Sequence, residues 1–259
     1  MKVSIVTLTN NSEKNIQRCI NSIKYQTYKN IEHIIIDNKS SDKTVDIIKS
    51  NSDYNFSLVS EKDQGIYDGW NKGFKIASGE IIGTVMADDL LKNKNVIKDI
   101  VKNFNQTSAD IVYGNLDFIN EDGAIIRQWK SGSFSTLKFY LGWMPPPPSV
   151  YQRRHIIKNN DLFKLKFHIA ADYEFYLRLF LVKKYNIVYL DKYFYSMEYG
   201  GVSNKSVKNI LIANIQCYKS WKENNIFQLP LIIITKPLFK IFQFRDLKFF
   251  FNQYFNFKN

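Results

Sequence analysis

Four short apolar runs constrain this chain more than anything else in it. They are Val3 to Leu8, Ile31 to Ile36, Phe56 to Val59 and Ile81 to Val85. Continuous apolar runs of this length suit strands buried on both faces, as in a parallel sheet. Between them the period changes. Ile16, Cys19, Ile20 and Ile23 recur at helical spacing, as do Val45 with Ile48, and Ile66 with Trp70 and Ala77. Asn11 or Ser12 is placed to cap the first helix, and Gly79 to end the third after its C-cap. Strand alternating with helix predicts an α/β fold around a mainly parallel sheet.

The runs finish in acids. The second meets Asp37, the loop after the third carries Asp63, and the fourth leads through Met86-Ala87 into Asp88-Asp89. Ligands of open α/β sheets bind beyond the carboxyl ends of the strands. Two adjacent carboxylates there suit a hard divalent cation bridging phosphate oxygens. The same residues also serve as a helix cap and a solvated acid, and the pair alone does not decide between these.

The second half is less regular. Val96, Ile97, Ile100, Val101 and Phe104 mark a helix, and Asp110 to Tyr113 a strand. Residues 117 to 129 predict a hairpin turning at Asn120-Glu121-Asp122-Gly123. Pro145 to Pro148 predict a stiff, non-helical wall. A helix is expected over Ala170 to Lys184, then strands at Ile187 to Leu190 and Tyr193 to Met197. Gly200 to Ser203 predict a loop able to approach a phosphate. Val207, Leu211, Ile215 and Tyr218 predict the apolar face of a last helix. Asp172, near a helix start in this half, is the candidate general base, with an N-cap as the alternative.

Among 259 residues the formal charge is +12, which implies an anionic partner. Nine of the twenty Phe fall in residues 226–259, interleaved with Lys236, Lys240, Arg245, Lys248 and Lys258. That mixture suits a segment lying in an anionic membrane interface. Two isolated cysteines, Cys19 and Cys217, fit a reducing compartment and no disulfide framework. The sequence reads as lacking a signal peptide and any run long enough to span a bilayer. The expected layout is therefore residues 1–225 as one domain and 226–259 as a membrane-associating tail. Within the domain, 1–115 form the nucleotide half and 116–225 the acceptor half.

In order and spacing, the motifs resemble those of bacterial family 2 glycosyltransferases with a GT-A fold, of the kind that builds O-antigen, capsule or exopolysaccharide. They include Val3-Ser4-Ile5-Val6-Thr7, Gln26-Thr27-Tyr28-Lys29-Asn30, Ser40-Ser41-Asp42, Asp63-Gln64-Gly65-Ile66-Tyr67-Asp68, Asn71-Lys72-Gly73, Ala87-Asp88-Asp89, Ala171-Asp172-Tyr173-Glu174 and Gly200-Gly201-Val202-Ser203-Asn204. The resemblance implies a GT-A (Rossmann-like) fold and an inverting transfer from a nucleoside diphosphate sugar, expected to be UDP-linked, to a lipid-linked saccharide. It implies that Thr7, Thr9 and Asp37 meet the base, and that Asp63 and Asn71 hold the nucleoside. Asp88 would meet the ribose or donor sugar, Asp89 would bind Mn²⁺ or Mg²⁺, and Asp172 would be the base. The chain departs from the family's pattern at Asn10, where an aromatic is common, at Trp70 in place of Arg, and at Pro147 in place of His.

Three other functions were weighed. A nucleotidyltransferase would carry a Gly-rich basic loop after the first strand, where this chain has Thr9-Asn10-Asn11-Ser12. A nucleic-acid-binding module would show a basic stripe with a reading motif, and here the charge is scattered before it concentrates in the Phe-rich tail. A paralogue that binds nucleotide sugar without turnover would not be expected to keep Asp88, Asp89 and Asp172. The expected location is peripheral, on the inner face of the cell membrane, with no nucleic acid as partner. Oligomeric state is not legible in the sequence.

Overall fold

The structure is a computed structural model and describes residues 1–120, 122–158, 162–198 and 207–227. The first four strands are β1 (Val3–Thr9), β2 (Ile31–Asp37), β3 (Phe56–Ser60) and β4 (Ile81–Met86). Between them lie α1 (Ile16–Lys24), α2 (Thr44–Ser50) and α3 (Ile66–Ile76). These strands pair in parallel in the order β3-β2-β1-β4. The apolar runs expected to be strands are strands: β2 ends on Asp37, β3 three residues before Asp63 and β4 two residues before Asp88.

The chain continues through β5 (Asp89–Leu91), α4 (Val96–Gln106), β6 (Ile111–Ile119), β7 (Ile125–Trp129), α5 (Thr136–Tyr140), β8 (Val150–Arg153) and α6 (Arg154–Lys158). It ends with α7 (Ala171–Leu177), β9 (Ile187–Glu198) and α8 (Val207–Glu223). Among the described residues nine strands make one mixed sheet, ordered β3-β2-β1-β4-β8-β6-β9-β5, with β7 added to β6. The longer ladders are parallel, including β6 with β9, while β8 joins β4 to β6 by short antiparallel pairings.

Strand alternation sorts the core into two layers. Val3 and Ile5 of β1 pack with Cys19, Ile97 and Ile100 from α1 and α4. Val6 and Leu8, on the opposite face, pack with Trp70 and Phe74 of α3 and with Phe163 and Phe175. A Cβ at Gly73 would come 2.2 Å from Val6 Cγ1, so glycine is what lets α3 lie this close to β1.

Several expectations are corrected here. Gly79 is not a helix stop: α3 ends at Ile76 with Ala77 as C-cap, and a Cβ on Gly79 would lie 2.6 Å from the Ser4 backbone nitrogen. Ile66, expected on the buried face of α3, is 42% exposed. The proline run is compatible with helix at its end, because Pro147–Ser149 form a 3-10 turn whose first positions need no N–H donor. The helix expected over residues 170–184 is α7 followed by a π-turn at Arg178–Val182. The two strands expected at 187–197 are the single β9, broken only by a register shift against β6. In α8 the apolar face is not the buried one. Leu211 and Ile215 are exposed, whereas Asn214, Cys217 and Trp221 are buried. The Gly200–Ser203 loop and residues 228–259, most of the expected tail, lie outside the described residues.

Candidate active site

Because β1 to β4 are parallel, Thr9, Asp37, Ser60 and the Asp88-Asp89 step share one edge of the sheet. The edge is not uniform. Asp37 is fully buried and accepts hydrogen bonds from the Ser40 N–H (3.1 Å), the Ser40 hydroxyl and the Ser60 hydroxyl (2.6 Å). Its carboxylate ties the turn after β2 to the end of β3. Thr7 is also enclosed. Strand alternation turns it toward the α1 layer, where Thr7 Oγ1 lies 2.9 Å from His33 Nε2. Thr9 shares that face one pleat further out, 4% exposed, and its hydroxyl has no hydrogen-bond partner among the described residues.

Asp63 follows β3 and lies against α3. Its backbone N–H donates to Asn38 Oδ1 (2.8 Å), and its carboxylate meets Lys72 at 2.7 Å. Lys72 also pairs with Glu61 (2.8 Å) and Asp68 (3.5 Å), and the Asp63 bond, then the Glu61 bond, pushes the ammonium pKa up. Asn71 was expected to hold the nucleoside, and its amide is committed elsewhere. Nδ2 donates to Phe163 O (2.9 Å) and Oδ1 accepts from Phe163 N–H (3.0 Å). This two-point clamp fastens α3 to the segment before α7.

The step after β4 is different in kind. Asp88 is exposed, whereas Asp89 has no accessible surface and both its carboxylate oxygens lack a hydrogen-bond partner among the described residues. Unpaired buried carboxylates are costly, and the cost shows as a shifted titration. Burial, then Asp88 and Glu198, raise the Asp89 pKa well above the usual range. Desolvation and Glu198 raise that of Asp88. Glu198 went unnoticed in the sequence because it lies over a hundred residues away. The β5–β9 pairing, which sets Asp89 opposite Met197, brings it here, and Arg18 of α1 pairs with it. No group of three or more His, Cys, Asp or Glu forms a metal cage among the described residues. Even so, an all-oxygen pair with two orphaned atoms is the donor chemistry that a hard divalent cation takes.

Asp172 sits in the first turn of α7. The N-cap is Ala170, so Asp172 is not the cap that one sequence reading allowed. Asp172 Oδ1 accepts from the Tyr67 hydroxyl of α3 (3.2 Å) and from the Tyr173 N–H (2.8 Å). The Tyr67 hydroxyl also lies 3.0 Å from Ile169 O. Tyr176, one turn along, bonds Pro147 O (3.2 Å), so the proline wall and the α7 aspartate are tied together. Tyr67 was visible only as one letter of a motif.

Comparison with known proteins agrees with this geometry. The model of the family described as "Glycosyl transferase family 2" matches residues 4–186. A relative from Mycobacterium bovis, a "PGL/p-HBAD biosynthesis glycosyltransferase", is 26% identical over 212 residues, covering 79% of this chain and 80% of its own. Among solved structures, S. aureus TarS 1-349 in complex with UDP superposes with a TM-score of 0.62 at 22% identity over 83% of this chain. This chain spans 65% of that TarS chain. The mannosyltransferase PcManGT from Pyrobaculum calidifontis, in complex with GDP-Man and Mn2+, gives 0.62 at 14% identity over 91% of this chain and 68% of its own. The structural likenesses support the GT-A fold, and the family match extends from β1 to the threshold of β9: this chain belongs to glycosyl transferase family 2.

Proposed function

We propose that this glycosyltransferase moves a sugar from a nucleoside diphosphate donor, UDP-linked, onto a lipid-linked saccharide, with inversion and with help from Mn²⁺ or Mg²⁺. The observation that carries the reading is the Asp88-Asp89 step, one carboxylate open to the cleft and its neighbour buried with both oxygens orphaned. Asp88 and Asp89 would hold a divalent cation, which would supply charge neutralisation for a departing diphosphate. TarS solved with UDP, and PcManGT solved with GDP-Man and Mn2+, support a nucleotide donor and a metal.

The protein's own groups divide the remaining work. Thr9 and Asp63 meet the nucleoside at the edge that Asp37 shapes from behind. Asp172 takes the proton of the acceptor hydroxyl as that oxygen attacks the anomeric carbon and the bond from sugar to diphosphate breaks. Inversion follows because attack comes from the face opposite the leaving group. The acceptor lies along the proline wall that Tyr176 holds against α7. The Phe-rich basic segment 226–259 is the membrane-contacting tail, beyond a domain 1–225 whose halves meet near residue 115. Phe227, the last described residue, is 80% exposed. No helix of the described residues is long and apolar enough to cross a membrane, and the proposed contact is peripheral, on the cytoplasmic face.

A screen of nucleotide sugars, read as released nucleoside diphosphate with and without chelator, tests the reading. One donor should be turned over, and activity should fall to background in chelator and return with Mn²⁺ or Mg²⁺. Full activity in chelator would sink the metal assignment. Turnover of Asp172→Asn within about threefold of wild type, far short of what a positioned base contributes, would sink the base. For the tail, deletion of 226–259 should release the protein from anionic vesicles, and unchanged sedimentation would remove its membrane role.

A further inference from the structure

The Tyr67 hydroxyl reaches from α3, on the donor side, to the carboxylate of Asp172. Two features make this contact more than packing. A tyrosine has one proton to donate, and here two acceptors lie within reach, Asp172 Oδ1 at 3.2 Å and Ile169 O at 3.0 Å. The ring is also fixed independently of the hydroxyl, since it lies 5.4 Å from the Phe163 ring, and the Asn71 clamp holds Phe163 to the same helix.

We propose that Tyr67 is the positioning residue for proton transfer at this site. Its hydroxyl holds the Asp172 carboxylate in a receiving orientation, then turns to Ile169 O once the carboxylate is neutralised. The inference rests on Asp172 being the base. The proton balance is simple. The acceptor's O–H proton moves to Asp172, and the Tyr67 proton stays on its own oxygen and changes only its partner. A carboxylate accepts hydrogen bonds far better charged than neutral, so the preferred partner switches as the proton arrives. Burial, then the Asp172 charge, keep the phenol pKa well above its usual value, so Tyr67 stays a donor throughout.

Several titratable groups lie around Asp172. Tyr176 of α7 is held protonated by burial and by Asp172 itself. Cys217 of α8 is buried, and His168 is bonded to Gln216. Glu174 of α7 pairs with Arg178 and with Lys164, each at 3.1 Å, and Arg178 also donates to Leu162 O (2.8 Å).

The test is Tyr67→Phe, which keeps the ring and removes the donor, assayed for kcat, donor KM and the pH profile of kcat/KM. Turnover should fall by about tenfold, the scale of one bond to a charged group, with donor KM within about twofold. Removing a donor to the charged form favours the neutral one, so the acid limb should move up by roughly half to one pH unit. Placing 3-fluorotyrosine at 67, a stronger donor of the same shape, should move that limb down. Added to Asp172→Asn, Tyr67→Phe should cost nothing further, since both act through one group. An unmoved acid limb in both Tyr67 variants, or full additivity with Asp172→Asn, overturns the inference while leaving the base in place. A near-normal Asp172→Asn overturns both, and so separates the two failures.

Discussion

The two strands that flank β1 lead into aspartates with opposite fates. At the end of β2, Asp37 is saturated by Ser40 and Ser60. At the end of β4, Asp89 is as deeply buried and has no hydrogen-bond partner among the described residues, while Asp88 faces solvent. Both positions satisfy the rule that sites lie at strand ends. What separates them is the accounting of hydrogen bonds. A closed carboxylate contributes to the scaffold, and an open one is held at a cost that a ligand can relieve.

That contrast can be broken in four ways, taken from the largest effect to the smallest. Asp89→Asn should lower donor turnover by at least about 100-fold, comparable to loss of a strong electrostatic contact in an active site, without lowering thermal stability. The sign follows from the raised pKa of Asp89. A folded acid that binds its proton more tightly than the unfolded one favours the fold at low pH. That advantage is lost as pH rises above the unfolded value near 3.8. Wild type should therefore lose stability over that range and recover it with Mn²⁺, and Asp89→Asn should do neither. A variant that melts much earlier than wild type would place Asp89 in the scaffold class.

Asp37→Ala should do the reverse. It removes three charge-assisted bonds and should cost about 2–4 kcal/mol, read as a lower midpoint in urea. The surviving folded fraction should turn over normally at saturating donor. Loss of turnover without loss of stability would move Asp37 into the open class.

His33 lies beneath the closed end, and burial lowers its pKa to about 3. A histidine with a depressed folded pKa costs stability as pH falls from 6.5 toward 3, because the unfolded chain takes the proton first. By pH 5 the cost is roughly 2 kcal/mol, and His33→Gln should flatten that slope in a pH series of melts. An unchanged slope would mean that His33 is not what titrates.

The smallest effect separates two threonines on one face of β1. Thr9→Val should raise donor KM by about threefold to tenfold, the worth of one neutral hydrogen bond. Thr7→Val should leave KM alone and cost about 1 kcal/mol of stability. Equal effects on KM would erase the distinction between the enclosed and the open hydroxyl.

The first four strands were legible because their physics is local. Strands buried on both faces must be apolar throughout, so β1, β2 and β4 announce themselves, and the helices between them keep a 3.6-residue period. β5 and β8 did not, since three or four residues of mixed character carry no period and exist only through distant partners. The site was legible as a set of acids and not as a set of roles. Asp88 follows β4, Asp89 opens β5 and Asp172 lies in the first turn of α7. Thr7, Asp37 and Asn71 could not be told from purely ligand-facing groups until His33, Ser60 and Phe163 were seen to bond them. Glu198 and Tyr67 could not have been assigned, because each gains its meaning from a residue roughly a hundred positions away.

The three-residue β5 also has a consequence for the order of assembly. Its pairing partner is the far end of β9, so Asp89–Leu91 wait for Tyr195–Met197. Strands β1 to β4 pair with one another inside the first 86 residues, β4 adding only a two-residue ladder to β8, and can consolidate while the rest of the chain is still leaving the ribosome. Contacts of long sequence separation form late, since loop closure must precede them. The carboxylate pair is therefore finished among the last parts of the molecule, and on the proposed reading a nascent or partly unfolded chain would compete poorly for divalent ions and donor. In pulse-labelled hydrogen exchange during refolding, the amides of β5 should gain protection together with those of β9, and later than those of β4.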